Sequence, residues 1–176
     1  MNRIKWTLLT AALMASMLPS QAQMHRASPH ETVSAVIDGN RVTVVYGRPL
    51  TKDRKIWGGL VPYDKVWRLG ADEATLLITQ KPLVFGETTV PAGAYSLYML
   101  PSESGDSKLI INKAIGQWGT QYSEGDDLAR VNLKKEASDK SPDQLSISVA
   151  KNSSGGGVIR ITWEKTEFSA TFTVQK

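Results

Sequence analysis

Apolar and polar residues alternate along much of the chain after residue 31, which is the period of a β-strand with one buried face. Alternating apolar positions flank the pair Asp38-Gly39: they are Val33, Ala35 and Ile37 before it, and Val42, Val44 and Tyr46 after it. An Asp-Gly pair between two alternating runs is the strongest short-range signal for a β-hairpin. We therefore expect the domain to open with a hairpin that starts near Thr32.

Further β-rich segments follow, separated by turn residues. They comprise residues 74–80, 82–85, 88–90, 94–100, 108–112, 128–133, 145–149, 158–163 and 168–174. Residues 136–143 are expected to be a polar loop, and 64–69 could form one helical turn. Helical apolar spacing is absent beyond the N-terminus, so an all-β sandwich or barrel is indicated. We predict a single-domain antiparallel β-sandwich, jelly-roll-like, of about ten short strands, spanning residues 32–176.

Two segments have no periodicity and are candidates for a functional site. Residues 48–75 contain Trp57 and Trp67, whereas structureless linkers are poor in aromatic residues. Long irregular loops in compact domains are usually functional or disordered, and the tryptophans favour an ordered loop. Residues 115–127, with Trp118 and three glycines, are expected to form the opposite wall.

The N-terminus has the pattern of a secretory signal peptide. A short basic region precedes an apolar run and a small-residue cleavage site ending at Ala22. The run is too short to span a membrane, so we expect export, periplasmic or extracellular, without membrane insertion after cleavage. Residues 23–31 are expected to be a flexible N-terminus, and its histidines, His25 and His30, to be solvated.

Charge and composition narrow the class of partner. The chain has no cysteine, so its fold does not depend on disulfides. Removing residues 1–22 takes two of the 21 basic residues and leaves 19 against 17 acidic ones. A nearly neutral protein without a basic cluster offers no electrostatic footprint for nucleic acid, and that partner is excluded.

Common catalytic motifs are missing. The sequence has no phosphate-binding glycine loop, no nucleophile elbow and no zinc-binding His-Glu-x-x-His, and it predicts no cofactor and no metal site. Paired carboxylates remain possible as acid and base. The candidates are Asp72, Glu73, Asp126 and Asp127, and a hydrolase would use Glu73 and Asp127.

A group of arginine, tryptophan, glutamate and asparagine residues in and around the irregular segments forms the predicted ligand site. Its members are Arg48, Arg54, Trp57, Trp67, Arg68, Glu73, Asn112, Trp118 and Arg130. Arginine suits carboxylate or phosphate groups, and tryptophan offers a flat face to a sugar or another ring. The alternative is structural: Arg48, Arg54 and Arg68 would pair with Asp72, Glu73 or Asp127, and Trp57 and Trp67 would plug one end of the sandwich. Trp163, at an alternating position, is expected in the core.

The order of several short motifs resembles that of a family of exported bacterial proteins, domain of unknown function 2911. The motifs include Tyr46-Gly47-Arg48-Pro49, Arg54-Lys55-Ile56-Trp57-Gly58, Pro91-Ala92-Gly93, Gln117-Trp118-Gly119 and the pair Asp127 and Arg130. The family pattern WRTGANEAT corresponds to WRLGADEAT here, so Leu69 and Asp72 replace a threonine and an asparagine. The resemblance covers nearly the whole mature chain and implies an exported domain without an established activity.

Three functions are consistent with the sequence. The first is a non-catalytic domain that binds a small molecule, glycan or peptide. The second is a hydrolase of envelope carbohydrate that uses paired carboxylates. The third is a structural or assembly protein, which would expose a large apolar patch.

Overall fold

The computed structural model describes residues 25–175, which form twelve β-strands and one short 3₁₀ helix. The predicted signal peptide, residues 1–22, lies outside the described residues. The strands are β1 (His30–Ile37), β2 (Asn40–Gly47), β3 (Thr75–Thr79), β4 (Leu83–Phe85), β5 (Thr88–Val90), β6 (Gly93–Leu100), β7 (Lys108–Asn112), β8 (Asp127–Asn132), β9 (Lys134–Ala137), β10 (Ser146–Lys151), β11 (Gly157–Trp163) and β12 (Thr166–Val174). The helix is Glu124–Asp126.

The strands form two antiparallel sheets. The first sheet has the order β1-β2-β3-β6-β7-β8, and the second has β10-β11-β12-β4-β5 with β9 also paired to β12. Along the chain, β1 to β3 belong to the first sheet and the β4-β5 hairpin belongs to the second. β6 to β8 complete the first sheet, and β9 to β12 complete the second. The predicted all-β sandwich is confirmed.

The opening hairpin is confirmed and has the expected turn. Asp38 and Gly39 have φ angles of 50° and 72°, and positive φ at both central residues is the mark of a type I′ turn. Val33 faces Val44 and Ala35 faces Val42 across the two strands. The alternation therefore directs one apolar face of the hairpin toward the second sheet, where Ile159, Ile161 and Phe168 are buried.

One tyrosine joins the two sheets across the core. The Tyr46 hydroxyl accepts the N–H of Ile147 at 2.8 Å and donates to Glu31 at 2.9 Å. Burial raises the pKa of Tyr46 to about 12, with a smaller raising effect from Glu31. The contact fixes β2 of the first sheet against β10 of the second.

Two local predictions are wrong. Glu136 and Ala137, predicted as loop, belong to β9, whose exposed side chains carry no apolar alternation and which pairs with β12. Charged residues are typical of sheet edges, and this hides such a strand from a hydrophobicity pattern. Residues 64–69 form no helical turn, because Trp67 exchanges two backbone hydrogen bonds with Met99. In the described part of the chain no helix is long and apolar enough to cross a membrane.

Candidate functional site

A cavity of about 630 Å³ lies beside the ends of β6 and β11. Three separate parts of the chain line it: residues 27–29, the long irregular segment 48–75 and the second irregular segment 115–127. Tyr98 of β6 and Trp163 of β11 complete the lining. The two irregular segments therefore face each other across a cavity, as their composition led us to expect.

Aromatic rings form one wall, and their orientation is fixed by mutual packing. Trp67 stacks on Trp163 with ring centroids 5.9 Å apart and planes at 22°, and it meets Trp57 edge-on at 5.9 Å. Tyr98 and Tyr122 pack together at 4.9 Å. Such offset and edge contacts hold each ring in place, so the apolar wall is preformed.

Three cationic side chains line the same cavity: Lys52, Arg54 and Arg68. Arg68 uses Nε to donate to the carbonyl of Gly70 at 3.1 Å, and Arg54 donates to the carbonyls of Leu50 and Thr51. Within residues 25–175, none of the three has a carboxylate oxygen within 4.0 Å. Their charges are therefore not neutralised by the described part of the protein.

The second irregular segment packs tightly under Arg68. A Cβ atom placed on Gly119 would lie 2.6 Å from Cδ of Arg68 and 3.0 Å from the carbonyl oxygen of Asp72. The backbone of Gly119 also donates to that carbonyl at 2.9 Å. Only glycine lets the two walls approach this closely, and the contact positions the Arg68 side chain.

Asp72 attaches the N-terminal segment to the cavity wall. Its carboxylate accepts the N–H groups of Ala27 at 3.0 Å and Ser28 at 3.1 Å. Burial alone would raise the pKa of Asp72, but these hydrogen bonds and nearby His30 more than offset it, and the pKa is lowered. The carboxylate is thus ionised, and its oxygens accept hydrogen bonds from backbone N–H groups of the protein itself.

Glu73 strengthens the same attachment. Its Oε1 lies 2.8 Å from Nε of Arg26, and its Oε2 lies 3.3 Å from Nε2 of His30. Burial opposes ionisation of Glu73, but backbone hydrogen bonding, Arg26 and His30 give a lowered pKa. The expectation of a solvated His30 is wrong, since its side chain is only 18% exposed and lies between two carboxylates.

A separate network surrounds Asp127. Its carboxylate accepts from Tyr122 at 2.7 Å, from Arg130 at 2.8 Å and from Asn112 at 2.9 Å. Burial, followed by the bond to Asp127, raises the pKa of Tyr122 to about 12. The hydrogen bond to Asp127 likewise raises the pKa of Arg130. Every charged group in this network has a partner within the protein.

The nine predicted site residues fall into three groups. Arg54, Trp67 and Arg68 line the cavity. Trp57 lies in the core, 7% exposed, where it packs on Phe168 and donates to the carbonyl of Trp163. The others lie outside the cavity lining: Arg48, Glu73, Asn112, Trp118 and Arg130. Arg48 pairs with a carboxylate, as in the structural alternative, but its partner at 2.9 Å is Glu31 and none of the three carboxylates predicted.

Sequence reasoning missed part of the lining. Tyr98 lies on the face of β6 opposite to Leu97 and Met99, yet is 1% exposed because Gln117 of the second irregular segment covers it. Residues 27–29 belong to the segment that the sequence predicts to be a flexible N-terminus. The alternation of β6 could have indicated Tyr98, but no sequence signal joins Ala27 and Ser28 to Asp72.

The two candidate catalytic carboxylates are not brought to one cleft. Glu73 belongs to the network of Arg26 and His30, and Asp127 belongs to the network of Arg130 and Tyr122. Neither lines the cavity. The described residues also contain no group of three or more histidine, aspartate or glutamate side chains placed to hold a metal ion.

Backbone strain is concentrated in the long irregular segment. Among residues 25–175, seven non-glycine residues have a positive φ angle. Five of them lie in this segment: Lys52, Asp53, Asp64, Leu69 and Asp72. Such conformations persist only where surrounding contacts enforce them, and they cluster at functional sites. Lys52 and Asp72, at opposite ends of this segment, both line the cavity.

The fold and the site define the protein as a β-sandwich whose irregular segments enclose a cavity beside one end of the strands. A family model described as "Protein of unknown function (DUF2911)" matches residues 28–172, and the chain belongs to this family. Comparison with curated proteins and with solved structures found no match.

Proposed function

We propose that the protein is an exported, non-catalytic binding protein that holds a small molecule in the cavity between its two irregular segments. The observation that carries the proposal is the cavity itself, with a preformed aromatic wall beside cationic groups that have no carboxylate partner among residues 25–175. Its volume lies in the range of about 300–1,000 Å³ that is usual for ligand sites. A small molecule, or a short piece of a glycan or peptide, matches this size.

Binding accounts for the site better than hydrolysis does. A general acid needs a pKa raised toward the working pH. The pKa of Glu73 is lowered instead, and its Oε1 is held by Arg26. The assembly alternative has a weaker basis. Among residues 25–175, six large apolar side chains are exposed, and two of them, Leu50 and Leu60, belong to the cavity lining.

The proposal is tested by blocking the cavity. Thr120 is exposed on the cavity rim, and Thr120→Trp would fill part of the space. Thr171→Trp is the matched control, because Thr171 is equally an exposed threonine but lines a different groove. Small molecules that raise the melting temperature of the wild type should lose this effect with Thr120→Trp and keep it with Thr171→Trp. Equal effects on both variants would contradict the proposal.

A further inference from the structure

The cations of the cavity differ from most other arginines of the described chain. Arg26, Arg48, Arg130 and Arg160 each pair with a carboxylate at 2.8–3.3 Å. Arg68 is half-buried, and its two Nη groups make no hydrogen bond to any residue between 25 and 175. A half-buried guanidinium with unused donors beside a cavity is well placed to receive an anion.

The acidic group on the cavity wall cancels only part of this charge. Asp72 lines the cavity, but its two oxygens are taken up by the N–H groups of Ala27 and Ser28. The remaining charged side chains of the lining are Lys52, Arg54 and Arg68. The lining therefore carries three positive charges against one negative charge, and this net positive charge attracts small anions.

The wall next to these charges suits a flat ring. Trp67 is half-buried, and its ring is held by stacking on Trp163 and by a perpendicular contact with Trp57. Leu50, Leu60 and Val66 add apolar surface to the same lining. A ligand that places a ring against this surface gains apolar contact while its charged group meets the arginines.

We infer that the ligand is a small anion in which a carboxylate or phosphate group is attached to a planar ring. This inference rests on the proposed function and makes it specific. A neutral sugar would bury its face on the tryptophan, but it would leave the unused Nη donors of half-buried Arg68 without an anionic acceptor. The charges of the cavity thus select the anionic ligand over the neutral glycan.

The test uses three probes with the same ring: naphthalene-2-carboxylate, 2-naphthyl phosphate and the neutral naphthalene-2-carboxamide. Calorimetric titration should show that at least one anion binds at least about tenfold more tightly than the carboxamide, the gain expected from one charged hydrogen bond. Which anion binds more tightly distinguishes carboxylate from phosphate recognition. Equal affinity for the carboxamide and both anions would overturn the inference.

Arg68→Gln is the decisive variant, because it keeps the stem that packs on Gly119 and removes the charge. It should weaken the anions about tenfold and leave the carboxamide nearly unchanged. Arg54→Gln, on an exposed side chain, should act in the same direction without affecting folding. Arg41→Gln on β2, outside the cavity, is the control and should change nothing.

The outcomes separate the two proposals. Carboxamide binding that is lost in Thr120→Trp, without any anion preference, would keep the cavity as a binding site and reject the anionic ligand. Anion binding unaffected by Arg68→Gln and Arg54→Gln would also reject it. Failure of all three probes to bind at millimolar concentration would count against both proposals.

Discussion

The indole of Trp67 lies against that of Trp163, with ring centroids 5.9 Å apart and planes 22° from parallel. Trp163 is fully buried at the end of β11, whereas Trp67 is only half-buried in the long irregular segment. The core tryptophan thus supports the cavity tryptophan. Through this contact the packing of the sandwich sets the shape of the candidate binding site.

Replacing Trp67 should therefore affect both stability and binding. We expect Trp67→Ala to lower the free energy of unfolding by about 2–4 kcal/mol, because a half-buried indole and its stacking contact are lost. Trp67→Phe keeps a flat ring and should cost less than half as much. Urea denaturation measures the difference. If Trp67→Ala were as stable as the wild type, the indole would not support the cavity wall.

Asp72 should make stability depend on acid pH. Its pKa is lowered in the folded state, so the stability it contributes is present above its ordinary pKa of 3.8 and is lost as the pH falls below that value. Asp72→Asn retains one acceptor oxygen and suits the positive φ, but it loses the second charged hydrogen bond. We expect a cost of about 1–2 kcal/mol at pH 7 that becomes smaller at an acid pH below 3.8.

Asp64→Asn is the matched control for this experiment. Asp64 also has a positive φ, 57°, but it is exposed and its carboxylate makes no hydrogen bond among the described residues. Its replacement should leave the unfolding free energy unchanged at both pH values. A cost for Asp72→Asn that does not decrease as the pH is lowered from 7 to below 3.8 would show that the carboxylate charge does not hold the N-terminal segment.

Two tyrosines should lose their hydroxyl protons only at a pH above the ordinary tyrosine pKa. Tyr46 and Tyr122 have pKa values raised to about 12 from an ordinary 10.0, chiefly by burial. The stability that their neutral phenols contribute is fully present below pH 10 and is lost as the pH rises toward 12. Absorbance at 295 nm should show the late phase in the wild type. It should shrink in Tyr46→Phe and in Tyr122→Phe, and an unchanged phase in both would contradict these assignments.

Tyr46→Phe should also destabilise the sandwich at neutral pH. The substitution leaves the N–H of Ile147 without its acceptor inside the core, which costs about 1–3 kcal/mol. Chemical denaturation at pH 7 measures this cost. A variant as stable as the wild type would show that the hydroxyl does not join the two sheets.

The contact between the cavity walls can be tested at Gly119. Gly119→Ala would drive its methyl group into Arg68 and the Asp72 carbonyl, at a cost of about 1–3 kcal/mol and with Arg68 displaced. Gly125→Ala is the matched control in the same segment, where the nearest atom would be 3.9 Å from the new Cβ. Thermal unfolding should separate the two. Equal stabilities would mean that the walls do not meet as closely as described.

The sequence predicted the sandwich well because strand signals are local. Alternation in Val42, Val44 and Tyr46, with a turn at Asp38-Gly39, specifies a hairpin without knowledge of the rest of the chain. The sequence did not predict β9, because its residues are mostly charged and all are exposed. A pattern of buried apolar positions cannot reveal a strand that has exposed side chains and is recognised by its backbone pairing with β12.

The site was predictable only in outline. Composition indicated the two irregular segments, but whether an arginine pairs internally depends on tertiary neighbours. Arg48 meets Glu31 and is neutralised, whereas Arg68 meets no carboxylate in the described chain. The tertiary neighbours of Trp57 and Trp67 were equally unpredictable. The two residues have similar sequence surroundings, but Trp57 lies in the core and Trp67 lies at the cavity.

The most direct test of the central claim is an NMR titration that follows the indole N–H signals as naphthalene-2-carboxylate is added. Trp67 lines the cavity, whereas Trp118 lies outside its lining and serves as an internal reference. Binding in the cavity predicts a saturable shift that is largest at Trp67, small at Trp118 and abolished in Thr120→Trp. A shift that is largest at Trp118, or one that persists unchanged in Thr120→Trp, would contradict the assignment of the cavity as the binding site.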